Sequence, residues 1–209
     1  WDFCQIQYNY LDTEEQAGDK GYELCTKLGI PVIVMEPIKG GSLATLPPDL
    51  EEKLKVLGTQ TSSAAYALKW VADHPNVKVI LSGMSTYDQV QENLQTFEQH
   101  TPLTQEEMQT LEEIGSVMRS RVGNGCTGCK YCRPCPFGVD IPGNFALWNK
   151  FRMFENYAVV KQMWEHEKEQ DKRPTSCTEC GQCVPLCPQH INIPEDLKLV
   201  QSELQEARS

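Results

Sequence analysis

The sequence lacks the long apolar run that a membrane-spanning helix needs. Its longest apolar stretches, residues 30–35 and 77–81, fall far below the roughly 18 to 20 residues that such a helix requires. It also lacks clustered positive charge, because the formal net charge is −10 and the basic residues at 168, 172 and 173 stand among acidic ones. A nucleic-acid surface needs clustered lysine and arginine. We therefore expect no membrane and no nucleic-acid partner.

The start of the chain lacks both a secretory signal peptide and an initiator methionine. It opens on Trp1 and passes directly into a strand-like segment, so we expect the sequence to be a piece of a longer parent protein. Its 209 residues, 40% of them hydrophobic, leave room for one or two domains. Without a signal peptide, clustered thiols are typical of metal ligands rather than disulfides, and we expect a cytoplasmic location.

Cysteine, by contrast, is abundant. Eight of the ten cysteines form two runs near the C-terminus, and each run ends in Cys-Pro. The first run consists of Cys126, Cys129, Cys132 and Cys135, and the second consists of Cys177, Cys180, Cys183 and Cys187. The second run has the spacing of bacterial [4Fe–4S] ferredoxins, in which the fourth cysteine ligates the other cluster of a two-cluster protein. The first run differs by having two residues, not three, before its last cysteine.

This spacing predicts two [4Fe–4S] clusters with crossed ligation. On that hypothesis one cluster takes Cys126, Cys129, Cys132 and Cys187, and the other takes Cys177, Cys180, Cys183 and Cys135. Two structural Cys4 zinc sites are the alternative, but zinc needs neither a third cysteine three residues on nor a following Cys-Pro. The remaining cysteines, Cys4 and Cys25, are predicted to be structural thiols.

The two runs belong to a duplicated segment, because residues 135–142 and 187–194 repeat one phrase that runs from Cys-Pro to Ile-Pro. Aromatic and apolar residues of the spacer recur at three- and four-residue steps, which predicts a helix from Phe145 to about Lys168. A long helix between cysteine runs resembles the alpha-helical ferredoxin domains. That resemblance covers about Arg121 to Pro194, and we expect a mostly helical ferredoxin-like domain over residues 121–209.

Residues 1–120 alternate strand-like and helix-like patterns, which predicts an α/β fold with parallel strands. The predicted strands are residues 3–8, 31–35 and 77–81, and the predicted helices are about 14–28, 49–57, 62–73, 88–99 and 104–119. Ser62 or Thr61 is expected to cap the third helix, and Thr104 with Glu107 has the spacing of a capping box.

In order and spacing, these segments resemble the aldo/keto reductases. Residues 2–9 (DFCQIQYN) are similar to strand six of that family's (β/α)8 barrel, and residues 29–38 (GIPVIVMEPI) are similar to strand seven. Residues 79–85 (VILSGMS) and 89–94 (QVQENL) are similar to strand eight and the helix behind it. The resemblance implies a partial TIM barrel, its last three strand–helix units, followed by the dicluster domain, as in the iron–sulfur branch of the family.

The resemblance also implies that the parent binds a nicotinamide cofactor, NAD(H) or NADP(H). Gln5 matches the residue that binds the nicotinamide carboxamide, while Glu92 and Asn93 match adenine contacts. Met35 stands where many members stack an aromatic ring on nicotinamide, and Glu36 stands where they place a small hydroxyl residue near the pyrophosphate. A carboxylate beside a diphosphate opposes binding through Coulomb repulsion.

Gly83 and Gln89 occupy positions where members that prefer NADPH keep basic residues, so the resemblance implies NADH. The family's catalytic Asp, Tyr, Lys and His lie on earlier strands and match nothing in this chain, so we assign no catalytic residue and expect this piece alone to be inactive. The implied parent is an oxidoreductase acting on a small carbonyl-type substrate, with clusters that relay electrons to or from a barrel-bound cofactor or a redox partner protein. Two alternatives remain: an electron-transfer module with a non-catalytic barrel, and clusters that are purely structural.

Overall fold

The chain folds into two compact units, Trp1–Val117 and Met118–Ser209. The structure is a computed structural model that describes residues 1–58, 61–98, 101–167 and 172–208. Among these residues, no helix is both long and apolar enough to cross a membrane.

The first unit is built on a three-stranded parallel sheet. Its strands are β1 (Cys4–Gln7), β2 (Val32–Met35) and β3 (Val77–Ile80), in the spatial order β1-β2-β3. Among the described residues, five α-helices follow or separate these strands: α1 (Gly18–Lys27), α2 (Pro48–Val56), α3 (Ser63–Ala72), α4 (Tyr87–Glu98) and α5 (Gln105–Ser120), of which the last continues past Val117. The predicted alternation of strands and helices is confirmed, with ends that shift by at most four residues. The predicted end of the fourth helix, Gln99, lies outside the described residues.

The core of this unit lies on one face of the sheet, because successive strand side chains point to opposite faces. Val32 and Val34 of β2 are fully buried, whereas Met35 is exposed. Helix α3, which packs against β3 and α4, buries most of its side chains. Its N-cap is Ser62, whose side chain accepts a hydrogen bond from the Ala65 N–H.

The second unit is mostly helical, as predicted. Its helices are α6 (Ile141–Phe154), α7 (Ala158–Gln162) and α8 (Ile193–Glu206), with a π-helical turn at Met163–Glu167. The prediction of one continuous helix from Phe145 to about Lys168 is wrong. Helix α6 begins four residues earlier, where the Asp140 carboxylate accepts a hydrogen bond from the Gly143 N–H, and it ends at Phe154. Lys168 lies outside the described residues.

The break between α6 and α7 has a local and a global cause. Glu155 adopts a left-handed conformation with φ of 48°, and Asn156 accepts a hydrogen bond from the Ala158 N–H, which starts the next helix. The aromatic residues recur mainly every three positions, and in an α-helix each such step rotates the side chain by about 60°. A single helix would therefore spread them around its axis. The break allows Val160 and Trp164 to join the same core as Trp148.

Candidate metal centres and barrel cavity

The two cysteine runs share one backbone geometry, which supports the duplication inferred from sequence. Left-handed residues occur at three equivalent pairs of positions: Gly128 and Glu179, Lys130 and Gly181, and Gly138 and His190. The two turns after the last cysteines are also alike. The Gly138 N–H donates to the Cys135 carbonyl at 3.0 Å, and the His190 N–H donates to the Cys187 carbonyl at 3.1 Å. Both runs are therefore folded to present thiols in the same way.

Helix α6 positions the segment that leads into the first cysteine run. The Asn149 side-chain oxygen accepts hydrogen bonds from the N–H groups of Gly123 and Asn124, and its amide nitrogen donates to the Asn124 carbonyl. The Asn124 side chain in turn accepts a bond from the Cys126 N–H at 3.2 Å and donates to Asp196 of α8 at 2.8 Å. The first cysteine is thus fixed to two helices.

The same helix also positions the segment before the second run. Asn144, which is fully buried, donates from its amide to the Lys172 carbonyl at 2.9 Å. The Arg173 guanidinium donates to the Trp164 carbonyl at 2.9 Å and lies 5.4 Å from the centre of the Trp164 ring. Both leading segments are held by buried or half-buried groups, which favours fixed positions for the thiols that follow.

The cysteines gather around two cavities, and each cavity takes thiols from both runs. One is lined by Cys126, Cys129, Cys132 and Cys187. The other is lined by Cys135, Cys177, Cys180 and Cys183, and Cys132 also borders it. The structure thus brings together the same two sets of four that the crossed hypothesis names. Within the described ranges, no three His, Cys, Asp or Glu side chains are gathered as one metal ion would require.

The chemistry of these cavities suits thiolate-bound iron. Their remaining walls are largely apolar, with Ile141 bordering both and Phe145 and Leu197 bordering one each. The pKa of the Cys126 thiol is raised above its usual value, chiefly by burial and also by the nearby Cys129 and Cys187 thiols. A hydrogen bond from the Gly128 backbone opposes this shift of the pKa. A thiol must lose its proton to bind iron, so a bound cluster would supply the positive charge that stabilises these thiolates.

A separate cavity of about 700 Å³ lies in the first unit, beyond the carboxyl ends of β2 and β3. Six of the seven positions expected to contact a dinucleotide line it: Met35, Glu36, Gly83, Gln89, Glu92 and Asn93. The seventh, Gln5, donates a hydrogen bond from its amide to the Met35 sulfur at 3.3 Å. The structure therefore brings the predicted cofactor residues together beyond the carboxyl ends of parallel strands, which is where (β/α)8 enzymes build their sites.

Two of these side chains already have partners within the protein. The Gln89 side-chain oxygen accepts hydrogen bonds from the Ser85 and Thr86 N–H groups, at the N-terminus of α4. Asn93 is buried and donates from its amide to the Ser82 hydroxyl at 3.0 Å. A ligand that bound to either side chain would compete with these contacts.

The lining of this cavity carries negative charge. Glu36 and Glu92 both border it and are exposed, whereas the described residues that line it include no lysine or arginine. Glu36 also has a left-handed backbone, with φ of 56°. An isolated pair of carboxylates at this position opposes a phosphate-bearing ligand.

Sequence reasoning missed a buried polar network beside this cavity. Asp12 is almost fully buried and accepts hydrogen bonds from Gln7 at 2.6 Å, Asn9 at 3.1 Å and Lys39 at 2.5 Å. The Asn9 amide also donates to the Glu36 carbonyl at 3.0 Å. The network ties the loop after β1 to the loop after β2. Its only local signal in the sequence is an asparagine three residues before an aspartate in the segment after β1, which is weak by itself.

Known proteins match this chain in two segments. The model of the aldo/keto reductase family matches residues 1–116, and the model of a 4Fe-4S dicluster domain matches residues 125–191. Two structures of the aldo-keto reductase AKR11C1 from Bacillus halodurans, holo and apo, are each 30% identical to this chain, with a TM-score of 0.41. Each match covers 52% of this chain and 41% of that reductase.

The thermostable aldo-keto reductase Tm1743, solved with the inhibitor epalrestat, is 23% identical, with a TM-score of 0.40. That match covers 52% of this chain and 38% of Tm1743. This chain thus spans well under half the length of the reductases it matches. A search of curated proteins gave no match.

Proposed function

This chain belongs to the aldo/keto reductase family, and we propose that it serves, within the whole protein, as part of an iron–sulfur oxidoreductase whose two [4Fe–4S] clusters relay electrons to or from a cofactor or substrate in the barrel. One observation carries the proposal. Each of two cavities is lined by three thiols of one cysteine run and by the last thiol of the other run, and Cys132 borders both cavities. This is the arrangement expected when the fourth cysteine of a run ligates the neighbouring cluster.

The roles of the cysteines follow from that arrangement. Cys126, Cys129, Cys132 and Cys187 would hold one cluster, and Cys135, Cys177, Cys180 and Cys183 would hold the other. When bound, such clusters supply one-electron transfer. Ile141 and Phe145 are buried and shield the inner side of the thiols from water, while Cys129 is exposed. The asparagine contacts of α6 keep the leading segments in place.

We further propose that the cavity of the first unit takes NADH rather than NADPH in the whole protein. Gln5, Met35, Glu92 and Asn93 would contact the dinucleotide as their family positions imply. Neither Gly83 nor Gln89 supplies a positive charge for a 2′-phosphate. The expected substrate is a small carbonyl-type compound, or else a redox partner protein exchanges electrons directly with the clusters.

A second candidate function is an electron-transfer module whose barrel binds no dinucleotide. The charge of the cavity favours it, because Glu36 and Glu92 border the space where a diphosphate would lie. In addition, the Gln89 side chain occupies backbone N–H groups at the N-terminus of α4 that a phosphate would otherwise use. Titration of the full-length protein with NADH and NADPH separates the candidates: saturable NADH binding favours the reductase, and no binding of either favours the module.

The ligand sets are tested by single substitutions of the two crossing cysteines. We expect Cys135→Ser and Cys187→Ser each to retain about four of about eight iron atoms per chain, and each to lose a different cluster, as distinguished by electron paramagnetic resonance of the reduced protein. Cys25→Ser is the matched control, because Cys25 is a buried thiol of the first unit and should leave both clusters intact. Full iron content in Cys135→Ser would contradict the crossed assignment.

A further inference from the structure

The two cysteine loops have the same backbone but different surfaces. In the first loop, Lys130, Tyr131 and Arg133 are exposed, with 67% of the tyrosine accessible to solvent. The equivalent positions of the second loop are Gly181, Gln182 and Val184. The duplication therefore provides an internal comparison: the shared fold does not require cations or an aromatic ring at these positions.

The charged residues of the two loops also differ in whether they form ion pairs. Glu179, the charged residue of the second loop, forms an ion pair with Lys198 at 2.7 Å. By contrast, the ion pairs among the described residues of this unit involve neither Lys130 nor Arg133. Both cations of the first loop are exposed, no ion pair joins either to another residue in the part of the chain that the structure describes, and Lys130 also borders the first cysteine cavity.

The first loop is positively charged, although the chain as a whole is acidic. The first unit contains eighteen acidic and seven basic residues, for a net charge of −11, while the second unit contains eleven acidic and twelve basic residues, for +1. Cys129, an exposed thiol, lies directly beside Lys130. The cations and Tyr131 therefore sit where the first set of cysteines reaches the surface.

We propose that residues 129–133 form a docking surface for an acidic one-electron carrier protein of the flavodoxin or ferredoxin type. The inference rests on the proposed function, because it requires a cluster held by Cys126, Cys129, Cys132 and Cys187. Lys130 and Arg133 attract the acidic partner, and Tyr131 supplies an aromatic contact of the kind enriched at interfaces. One electron passes between the partner's cofactor and the cluster, and no bond is formed or broken.

Charge complementarity also explains why an acidic carrier would approach this loop. The first unit carries a net charge of −11 and repels such a carrier, whereas Lys130 and Arg133 of the second unit attract it. Attraction between opposite charges orients the two proteins as they meet and also raises their association rate. A carrier held at residues 129–133 is adjacent to the exposed ligand Cys129.

The test uses the full chain with its clusters loaded and flavodoxin as the probe. We expect the charge-reversed variant Lys130→Glu/Arg133→Glu to weaken binding of oxidised flavodoxin at least about tenfold at low ionic strength, and to slow reduction by flavodoxin hydroquinone by a similar factor. The matched control is Lys150→Glu/Lys161→Glu, which changes the net charge equally. Its exposed lysines lie on α6 and α7, and Lys150 is about 14 Å along α6 from Ile141. It should change both quantities less than about twofold.

Several outcomes would overturn the docking surface. Equal weakening by both double variants would show that only net charge matters, and no weakening by either would show that the loop is not used. A shift in cluster potential without a change in flavodoxin affinity would mean that Lys130 and Arg133 act on the cluster alone. Equally tight binding of single-stranded DNA would show that the loop binds any polyanion.

Failure of the docking surface can be told apart from failure of the proposed function. Chemical reduction by dithionite and the iron content do not depend on a protein partner. If dithionite reduces the wild-type clusters while flavodoxin binding is insensitive to Lys130→Glu/Arg133→Glu, only the docking surface is wrong. If the loaded chain cannot be reduced by dithionite, the electron-relay function is wrong and the docking surface is overturned with it.

Discussion

At the scale of single residues, Gly123 shows how closely the first cysteine run is fitted to the helices behind it. A Cβ atom at this position would lie 2.5 Å from ring carbons of Trp148, which is buried. We expect Gly123→Ala to lower the free energy of unfolding by about 1 to 3 kcal/mol, as overpacking of a core does. It should also weaken iron retention in the cluster that depends on Cys126. Chemical unfolding and iron release to a chelator measure the two effects.

Gly125 supplies the matched control for that prediction. It lies two residues further along the same segment, and a Cβ atom there would meet nothing within 4 Å. Gly125→Ala should therefore change the unfolding free energy by no more than about 0.5 kcal/mol. Equal stability of the two variants would show that the contact between Gly123 and Trp148 does not constrain the loop.

Single residues were predictable from sequence where their partners lie nearby in the chain. The Thr104 hydroxyl and the Glu107 carboxylate exchange hydrogen bonds with each other's backbone N–H groups at 3.2 and 2.7 Å, as the capping box predicted. The contact of Gly123 with Trp148 spans 25 residues, and the ion pair of Asp12 with Lys39 spans 27. Such pairs carry no local pattern, because only the folded chain brings them together.

At the scale of elements, the break after α6 is the main departure from the sequence prediction. Glu155 has a left-handed backbone, which is unfavourable for every residue with a Cβ atom and not for glycine. It also lies 3.6 Å from Arg121 in an ion pair. We expect Glu155→Gly to be more stable than Glu155→Ala by about 0.5 to 1 kcal/mol, because both lose the ion pair and only glycine relieves the strain.

Thermal or chemical unfolding of the two Glu155 variants makes that comparison directly. A helix that continued through residue 155 would reverse the order, since alanine is then preferred over glycine by about 1 kcal/mol. If Glu155→Ala were the more stable variant, the result would support a single helix that continues through residue 155. The experiment thus tests an element boundary with two substitutions at one position.

Helix α8 is not among the elements predicted from the sequence, although its signals are present there. Asn192 stands at its N-cap, Pro194 lies in its first turn, and Glu195 and Asp196 follow as acidic residues near the N-terminus. Its buried positions, Leu197, Val200 and Leu204, recur at three- and four-residue steps. Helix α6 begins in the same way after Asp140. Because the segment that precedes α6 is repeated before α8, the duplication predicts a helix after each cysteine run.

At the scale of the whole molecule, the two modules were recognisable because their motifs are local in sequence. The family resemblance also indicated seven positions at the cavity beyond β2 and β3, and six of them line it. It did not indicate that the Gln89 oxygen already accepts hydrogen bonds from Ser85 and Thr86, or that no basic residue lines the cavity among the described residues. These properties depend on side-chain conformation, which no motif specifies.

We infer that the eight clustered cysteines hold two [4Fe–4S] clusters. The measurement that tests it most directly is the content of iron, acid-labile sulfide and zinc per chain after anaerobic purification and reconstitution. We expect about eight iron and about eight sulfide, with a broad absorption band near roughly 400 nm. Zinc bound stoichiometrically without iron would contradict the claim and, with it, the electron-relay function.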